Sequence, residues 1–217
     1  MRTRIKICGL TREADVDAAV AAGADAIGFV FYRASPRAVN VHRAAELARR
    51  LPPFVTPVGL FVNASPGEIN AACLAMPTLM LQFHGDETPD DCAWPNRPYL
   101  RAARMEPGLD LLDFAQQFAG AAGLLLDAHV EGYGGGGKVF DWSLVPQSNE
   151  TGVGLPIVLS GGLNPANVGE GVLRVRPWAV DVSSGVESAK GIKDPEAIRR
   201  FCEAVREADA RVAGSRS

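Results

Sequence analysis

A chain of 217 residues with 47% hydrophobic and 22% charged residues has the balance of an ordinary folded domain, which sets aside a disordered or fibrous protein. Its formal net charge of -3 argues against nucleic acid as a partner, because a phosphate backbone is met by clustered Lys and Arg. No apolar run approaches the roughly 20 residues that span a bilayer. The opening Met1-Arg2-Thr3-Arg4 runs straight into a strand-like Ile5-Lys6-Ile7-Cys8 without a signal-peptide core, so the expected setting is the cytoplasm, with no membrane partner.

The first predicted strand, Arg4–Cys8, leads to a helix over Glu13–Ala22. Strand Ala26–Phe31 and helix Val41–Arg50 follow, then Thr56–Val62 with Pro66–Leu74. Strand Thr78–Phe83 is followed only by the short Pro89–Ala93, and Tyr99–Ala102 by Leu109–Phe118. After Gly123–Asp127 come a Gly-rich stretch and, over Ser143–Asn149, at most a weak helix. Pro156–Ser160 precedes Pro165–Val175, and Ala179–Val182 precedes Pro195–Ala210. Eight short apolar runs in βαβα order imply a parallel sheet covered on both faces, and eight is the number that closes a filled barrel. The expectation is an α/β protein, a (β/α)8 TIM barrel forming a single domain over residues 1–217, with 211–217 as a loose C-terminal tail. The rival doubly wound sheet often marks its nucleotide site with glycines in the first βα turn; here that turn reads Cys8-Gly9-Leu10-Thr11. The four cysteines, Cys8, Cys73, Cys92 and Cys202, are too scattered for a disulfide framework or a zinc site.

In a closed barrel alternate residues point inward, and functional groups gather at the strands' C-terminal ends. That period places Lys6 and Cys8 on the inner face of the first strand and Gln82 and His84 on that of the fourth. Asp127 and Ser160 end the sixth and seventh strands, and Asp181 lies near the end of the eighth. Arg101 lies in the fifth strand; it joins the inner set in one register and faces the helices in the other, and the outward, structural reading is the preferred one. Ionisable groups are costly to bury unless paired, so several on one face suggest a site. Blander readings stay open: Lys6 and Asp181 as an ion pair in the barrel floor, His84 and Gln82 as satisfied core groups, Cys8 as a small hydrophobe.

Barrels often bind phosphate with the loops after their last two strands. The seventh strand is followed by Ser160-Gly161-Gly162-Leu163-Asn164-Pro165 and the eighth by Ser183-Ser184-Gly185-Val186-Glu187. Gly161, Gly162 and Gly185 let backbone N–H groups approach a dianion, Ser183 and Ser184 add donors, and Asn164 suits a helix start. The stretch Gly132-Tyr133-Gly134-Gly135-Gly136-Gly137-Lys138 formally contains a P-loop pattern, but Val139 stands where Ser or Thr would hold magnesium. A mobile lid is the better reading of it.

Taken together, Lys6-Ile7-Cys8-Gly9-Leu10-Thr11, Ser35-Pro36-Arg37, Gly59-Leu60-Phe61-Val62-Asn63 and Gln82-Phe83-His84-Gly85 resemble the phosphoribosylanthranilate isomerase family. The resemblance continues through Leu126-Asp127, Phe140-Asp141-Trp142, Leu159-Ser160-Gly161-Gly162-Leu163 and Asp181-Val182-Ser183-Ser184-Gly185-Val186-Glu187, and so spans almost the whole chain. It implies an isomerase of tryptophan biosynthesis that performs an Amadori rearrangement of a phosphorylated small molecule, with no cofactor or metal, working as a monomer or homodimer. It also implies Cys8 as general base, Asp127 as general acid and Arg37 as ligand of the anthranilate carboxylate. Gln82, His84 and Asp181 are candidates for contact with substrate. Burial would raise the pKa of Asp127 toward an acid's role, and Lys6 or a cationic intermediate would favour the Cys8 thiolate. The sequence departs from the family at Ala128, where serine is common, and at Lys138, where threonine is frequent. The alternative is another phosphosugar barrel of the tryptophan or histidine pathways.

Overall fold

The computed structural model describes residues 2–106, 108–128, 141–145 and 154–214. Eight parallel strands close into a barrel in chain order: β1 (Arg4–Cys8), β2 (Ala26–Val30), β3 (Thr56–Phe61), β4 (Met80–Phe83), β5 (Tyr99–Met105), β6 (Gly123–Ala128), β7 (Ile157–Leu159) and β8 (Ala179–Val182). β8 pairs back onto β1, with Lys6 opposite Asp181. The helices are α1 (Glu13–Ala21), α2 (Val41–Ala48), α3 (Pro66–Ala75), α4 (Pro89–Ala93), α5 (Leu111–Gln117), α6 (Val168–Val175) and α7 (Pro195–Gly214). The chain therefore forms the expected (β/α)8 TIM barrel. No helix among the described residues is long and apolar enough to cross a membrane.

Local chemistry explains where the helices begin. Ser65 and Thr88 each form a reciprocal capping box, with Glu68 and Asp91, and each is followed by a proline that fits the first helical turn. Asn40 accepts from the Arg43 N–H, and Asp110 from those of Leu112 and Asp113. The strands sort their faces by period two. Ile5, Ile7, Ile27, Phe29, Leu81, Leu124, Leu126 and Val180 are buried in the shell between sheet and helices. Met80, Leu100, Ala102, Leu125, Val158 and Ala179 fill the barrel's own interior.

The differences from expectation are local. β5 runs on to Met105 because β6 pairs with it along six residues, from Leu100 with Gly123 to Met105 with Ala128. β4 starts only at Met80, since the Leu79 N–H is spent on Met76 O in a turn. α6 starts at Val168 rather than Pro165, because Asn164 O takes the N–H groups of Asn167 and Val168 and closes a turn first. Residues 143–149 hold no helix among the described positions beyond a single 3-10 turn, Trp142–Leu144. α7 continues to Gly214, so 211–214 are helical rather than tail. Strong helix formers in Ala-Arg-Val-Ala sustain it. The last helix is also tied to the first strand: the Thr3 N–H and hydroxyl each donate to the Asp209 carboxylate at 2.7 Å.

Arg101 is not in the inner layer. Leu100 and Ala102 take those positions, which turns Arg101 out toward α5, where it is buried. Its guanidinium lies 4.8 Å from the Phe118 ring centroid and 3.3 Å from Glu87, and it donates to the carbonyls of Phe83 and Gly85. One feature has no counterpart in the sequence reading. After β8 the chain makes a small antiparallel hairpin, β9 (Glu187–Ala189) and β10 (Ile192–Lys193).

Candidate active site

Above the apolar filling, the inward positions turn polar toward the strands' C-terminal ends. Lys6 and Asp181 form an ion pair of 2.7 Å, their side chains 4% and 7% exposed. The Ser160 hydroxyl donates to the other Asp181 oxygen at 3.2 Å. Burial works against the charge on Lys6, but attraction to Asp181 and to Cys8 outweighs it and holds the ammonium pKa above its usual value. The pair is thus the floor of the site, one of the two roles open to it from sequence.

Cys8 stands one inward position higher on β1 and is buried. Its neighbour across the pairing is Gly28, and a Cβ there would lie 2.6 Å from the Cys8 sulfur, so glycine makes the space in which the thiol sits. Burial is the largest influence on that thiol and pushes its pKa up. Lys6 pulls it down without prevailing. Lys6 thus acts in the expected direction but is outweighed by desolvation, which leaves the cationic intermediate as the other expected source of help to the thiolate.

On β4 and β6 three side chains form a line. Gln82 Nε2 lies 3.2 Å from His84 Nδ1, and His84 Nε2 lies 3.0 Å from Asp127 Oδ2. Asp127 Oδ1 accepts the Ala128 N–H at 3.0 Å. With the Gln82 amide donating, His84 must carry its proton on Nε2 and Asp127 is an acceptor. With the amide turned over, Gln82 accepts from Nδ1–H, and Nε2 becomes the acceptor of a proton held on Asp127. In the first orientation Gln82 Oε1 is buried without a partner among the described residues. Either orientation leaves one end of the amide unmatched, so the two proton placements compete on similar terms.

The loops after β7 and β8 meet at the same end. Gly161 and Gly162 both adopt positive φ, 76° and 66°, and a Cβ on Gly161 would fall 2.5 Å from the Ala128 nitrogen. At Gly185 a Cβ would lie only 1.8 Å from Leu163 O, so the two loops touch through that glycine. Asn164 has its side chain committed: Oδ1 accepts the Ala166 N–H and Nδ2 donates to Gly162 O. The Ser183 hydroxyl likewise donates to Cys8 O, while Ser184 opens the short 3-10 turn Ser184–Val186.

Arg37 enters from the loop after β2, its stem over Gly9, where a Cβ would meet the Arg37 Cδ at 2.5 Å. Its guanidinium is bound side-on by Glu187, at 2.7 Å and 2.8 Å. Lys193, its side chain fully buried, joins that carboxylate at 2.8 Å. Sequence reasoning gave Glu187 no role and missed Lys193 and Arg104. Arg104 occupies the last inward position of β5 and donates to His84 O at 3.5 Å. The period-two series Leu100, Ala102, Arg104 carried the signal for Arg104 once the face was known. Nothing local marked Lys193. The Gly-rich stretch 132–138 and its expected lid lie outside the described residues. A cavity of about 420 Å³ at the barrel's other end is lined by Arg4, Phe54, Leu100 and Trp178 among others; stability, rather than chemistry, is the usual business of that face.

Residues 5–204 match the family model described as N-(5'-phosphoribosyl)anthranilate (PRA) isomerase. The N-(5'-phosphoribosyl)anthranilate isomerase of Methylibium petroleiphilum is 79% identical over 99% of both chains. The crystal structure of phosphoribosyl anthranilate isomerase from Thermotoga maritima superposes with a TM-score of 0.86 at 38% identity, covering 94% of this chain and 99% of that one. A second structure, of the isomerase in complex with reduced 1-(o-carboxyphenylamino)-1-deoxyribulose 5-phosphate, gives 0.82 at 36% identity with the same coverage.

Proposed function

The chain belongs to the N-(5'-phosphoribosyl)anthranilate isomerase family and is an isomerase of tryptophan biosynthesis; from that premise we propose that Asp127 is its general acid and Cys8 its general base. Asp127 delivers a proton to the ribose ring oxygen as the C1′–O bond breaks and the anthranilate nitrogen lone pair forms a C1′=N⁺ iminium. Cys8 removes the C2′ proton, and the released electrons form the C1′=C2′ enaminol while neutralising the nitrogen. Ketonisation, with a proton added at C1′ and one lost from the C2′ hydroxyl, yields the aminoketose, an isomer of the starting material.

The observation that carries this reading is the line Gln82–His84–Asp127. It gives the carboxyl a partner that can accept its proton bond, which a general acid at neutral pH requires. The raised pKa of the Cys8 thiol fits a base whose work begins only after a cation has formed beside it. Gly161, Gly162, Ser184 and Gly185 supply the phosphate contacts in this reading. Asn164 and Ser183 support them by holding the two loops, since their side chains are already engaged. The Arg37 guanidinium receives the anthranilate carboxylate. Asp181 acts through Lys6 rather than on substrate.

The chain's partner is then this one phosphorylated molecule. It works in the cytoplasm as a monomer or homodimer, and a solution mass other than one or two times 23.0 kDa counts against that state. The test of the roles is the loss of substrate fluorescence as the protein meets substrate generated in the cuvette, with Asp127→Asn and Cys8→Ala alongside. Each should lower kcat by roughly 10²–10⁴; near-normal turnover in either removes that residue from the mechanism.

A further inference from the structure

Glu187 and Lys193 lie opposite one another in the β9–β10 hairpin, and their charges are not used by the acid–base chemistry. The Glu187 carboxylate takes Arg37 Nε–H on one oxygen and Nη2–H on the other. Lys193 Nζ donates to Glu187 Oε1, to Ser183 O at 3.0 Å and to Ser183 Oγ at 3.3 Å. Ser183 in turn is bound to Cys8 O. The side chains of Arg37, Glu187 and Lys193 are 10%, 5% and 0% exposed.

Two cations around one anion leave a formal charge of about +1 in a place where uncompensated charge is costly. Lys193 has spent all three of its protons. Arg37 has spent only one of its two bidentate edges, the Nε/Nη2 side, and among the described residues Nη1 has no hydrogen-bond partner. The surplus charge is therefore presented at the Nη1/Nη2 end, on a stem lying over the residue after Cys8. Arg37 and Lys193 hold the Glu187 pKa below its usual value despite burial, so the carboxylate remains charged in this role.

We infer that Glu187, backed by Lys193, is the positioning residue for substrate selection: it locks Arg37 so that only the Nη1/Nη2 edge can meet a ligand, and the pocket accepts substrates whose aryl group brings one carboxylate to complete the cluster. The inference rests on the reading of Arg37 as the carboxylate's ligand. The experiment compares kcat/KM for phosphoribosylanthranilate with that for its carboxylate-free counterpart, N-(5-phosphoribosyl)aniline. It uses Arg37→Met, Glu187→Gln and the charge-balanced double variant Glu187→Gln/Lys193→Gln, each checked for native circular dichroism. The double variant keeps the net charge and loses the lock together with the Lys193 bonds to Ser183, a loss that both substrates share because both carry the phosphate. It should lose at least tenfold of the wild-type preference, through KM more than kcat, and Arg37→Met added to it should lose little more. A double variant with wild-type preference, or a Glu187→Gln variant that prefers the carboxylate more strongly than wild type, overturns the inference, while loss of preference in Arg37→Met keeps the Arg37 reading standing. Preference untouched in Arg37→Met overturns both.

Discussion

Replacing Lys6 by Met should destabilise this barrel far more than removing the whole ion pair does. At 2.7 Å the attraction between Lys6 and Asp181 is about 6 kcal/mol at an effective dielectric constant of about 20, and the cost of bringing both ions out of water cancels much of it. Removing one partner cancels nothing: Asp181 stays buried, held among the described residues by the Ser160 hydroxyl at 3.2 Å. The expected loss is ~3–5 kcal/mol. For a chain of this length that is a fall in Tm of roughly 6–20 °C, taking ~2–4 °C per kcal/mol. Lys6→Met/Asp181→Leu removes both charges and leaves only the Ser160 hydroxyl short of a partner, a loss of ~1–3 kcal/mol, so the double variant should be the more stable of the two. Urea unfolding followed by circular dichroism reads the difference. A single variant within about 1 kcal/mol of wild type, or a double no more stable than the single, would refute the argument that the pair is held by mutual dependence.

Three further outcomes are expected. Gln82→Leu should lower kcat about tenfold with little change in KM, since it removes the partner of His84 Nδ1 through which the His84–Asp127 proton can change places; a change confined to KM would make Gln82 a substrate contact instead. Gly185→Ala forces a methyl against Leu163 O. It should raise both the KM for substrate and the inhibition constant of inorganic phosphate at least tenfold while the circular dichroism spectrum stays native; unchanged constants would take the phosphate away from these loops. Burial pushes the thiols of Cys92 and Cys202 up to about 12 and about 11, so above pH 9 the unfolded chain loses protons that the folded one keeps. Stability should therefore decline from pH 9 upward, and Cys92→Ala should flatten that decline; an equally steep curve in the variant would assign it to other groups.

Much of the site was legible because period two is a strong signal where polar residues interrupt apolar strands. Ile5 and Ile7 define one face of β1, and Lys6 and Cys8 are what remains. The same logic recovered Gln82, His84, Asp127, Ser160 and Asp181. At Arg101 it left the face open and leaned outward, the side the structure shows. What turned it outward was a preformed seat, Glu87 with the rings of Phe114 and Phe118, contributed by segments whose placement no local pattern reports. It failed at Lys193. A strand of two residues has no period, and a fully buried lysine is written with the same letter as an exposed one. Asn164 and Ser183 were rightly placed in their loops, yet the hydrogen bonds that occupy them depend on Ala166 and Cys8 at distances only the fold sets.

The seam between β1 and β8 also has a consequence in time. Lys6 and Asp181 are 175 residues apart in the chain, so a ribosome adding ~5–20 residues per second needs roughly 10–35 s to make the second after the first. Throughout that interval a nascent lysine already placed in a growing sheet has no anion to meet, and the strand that carries it keeps one edge open. The barrel cannot be assembled by simple accretion from its beginning. Its earliest strand must wait for its latest, and the nascent chain is most exposed to mispairing just before translation reaches the segment that closes it.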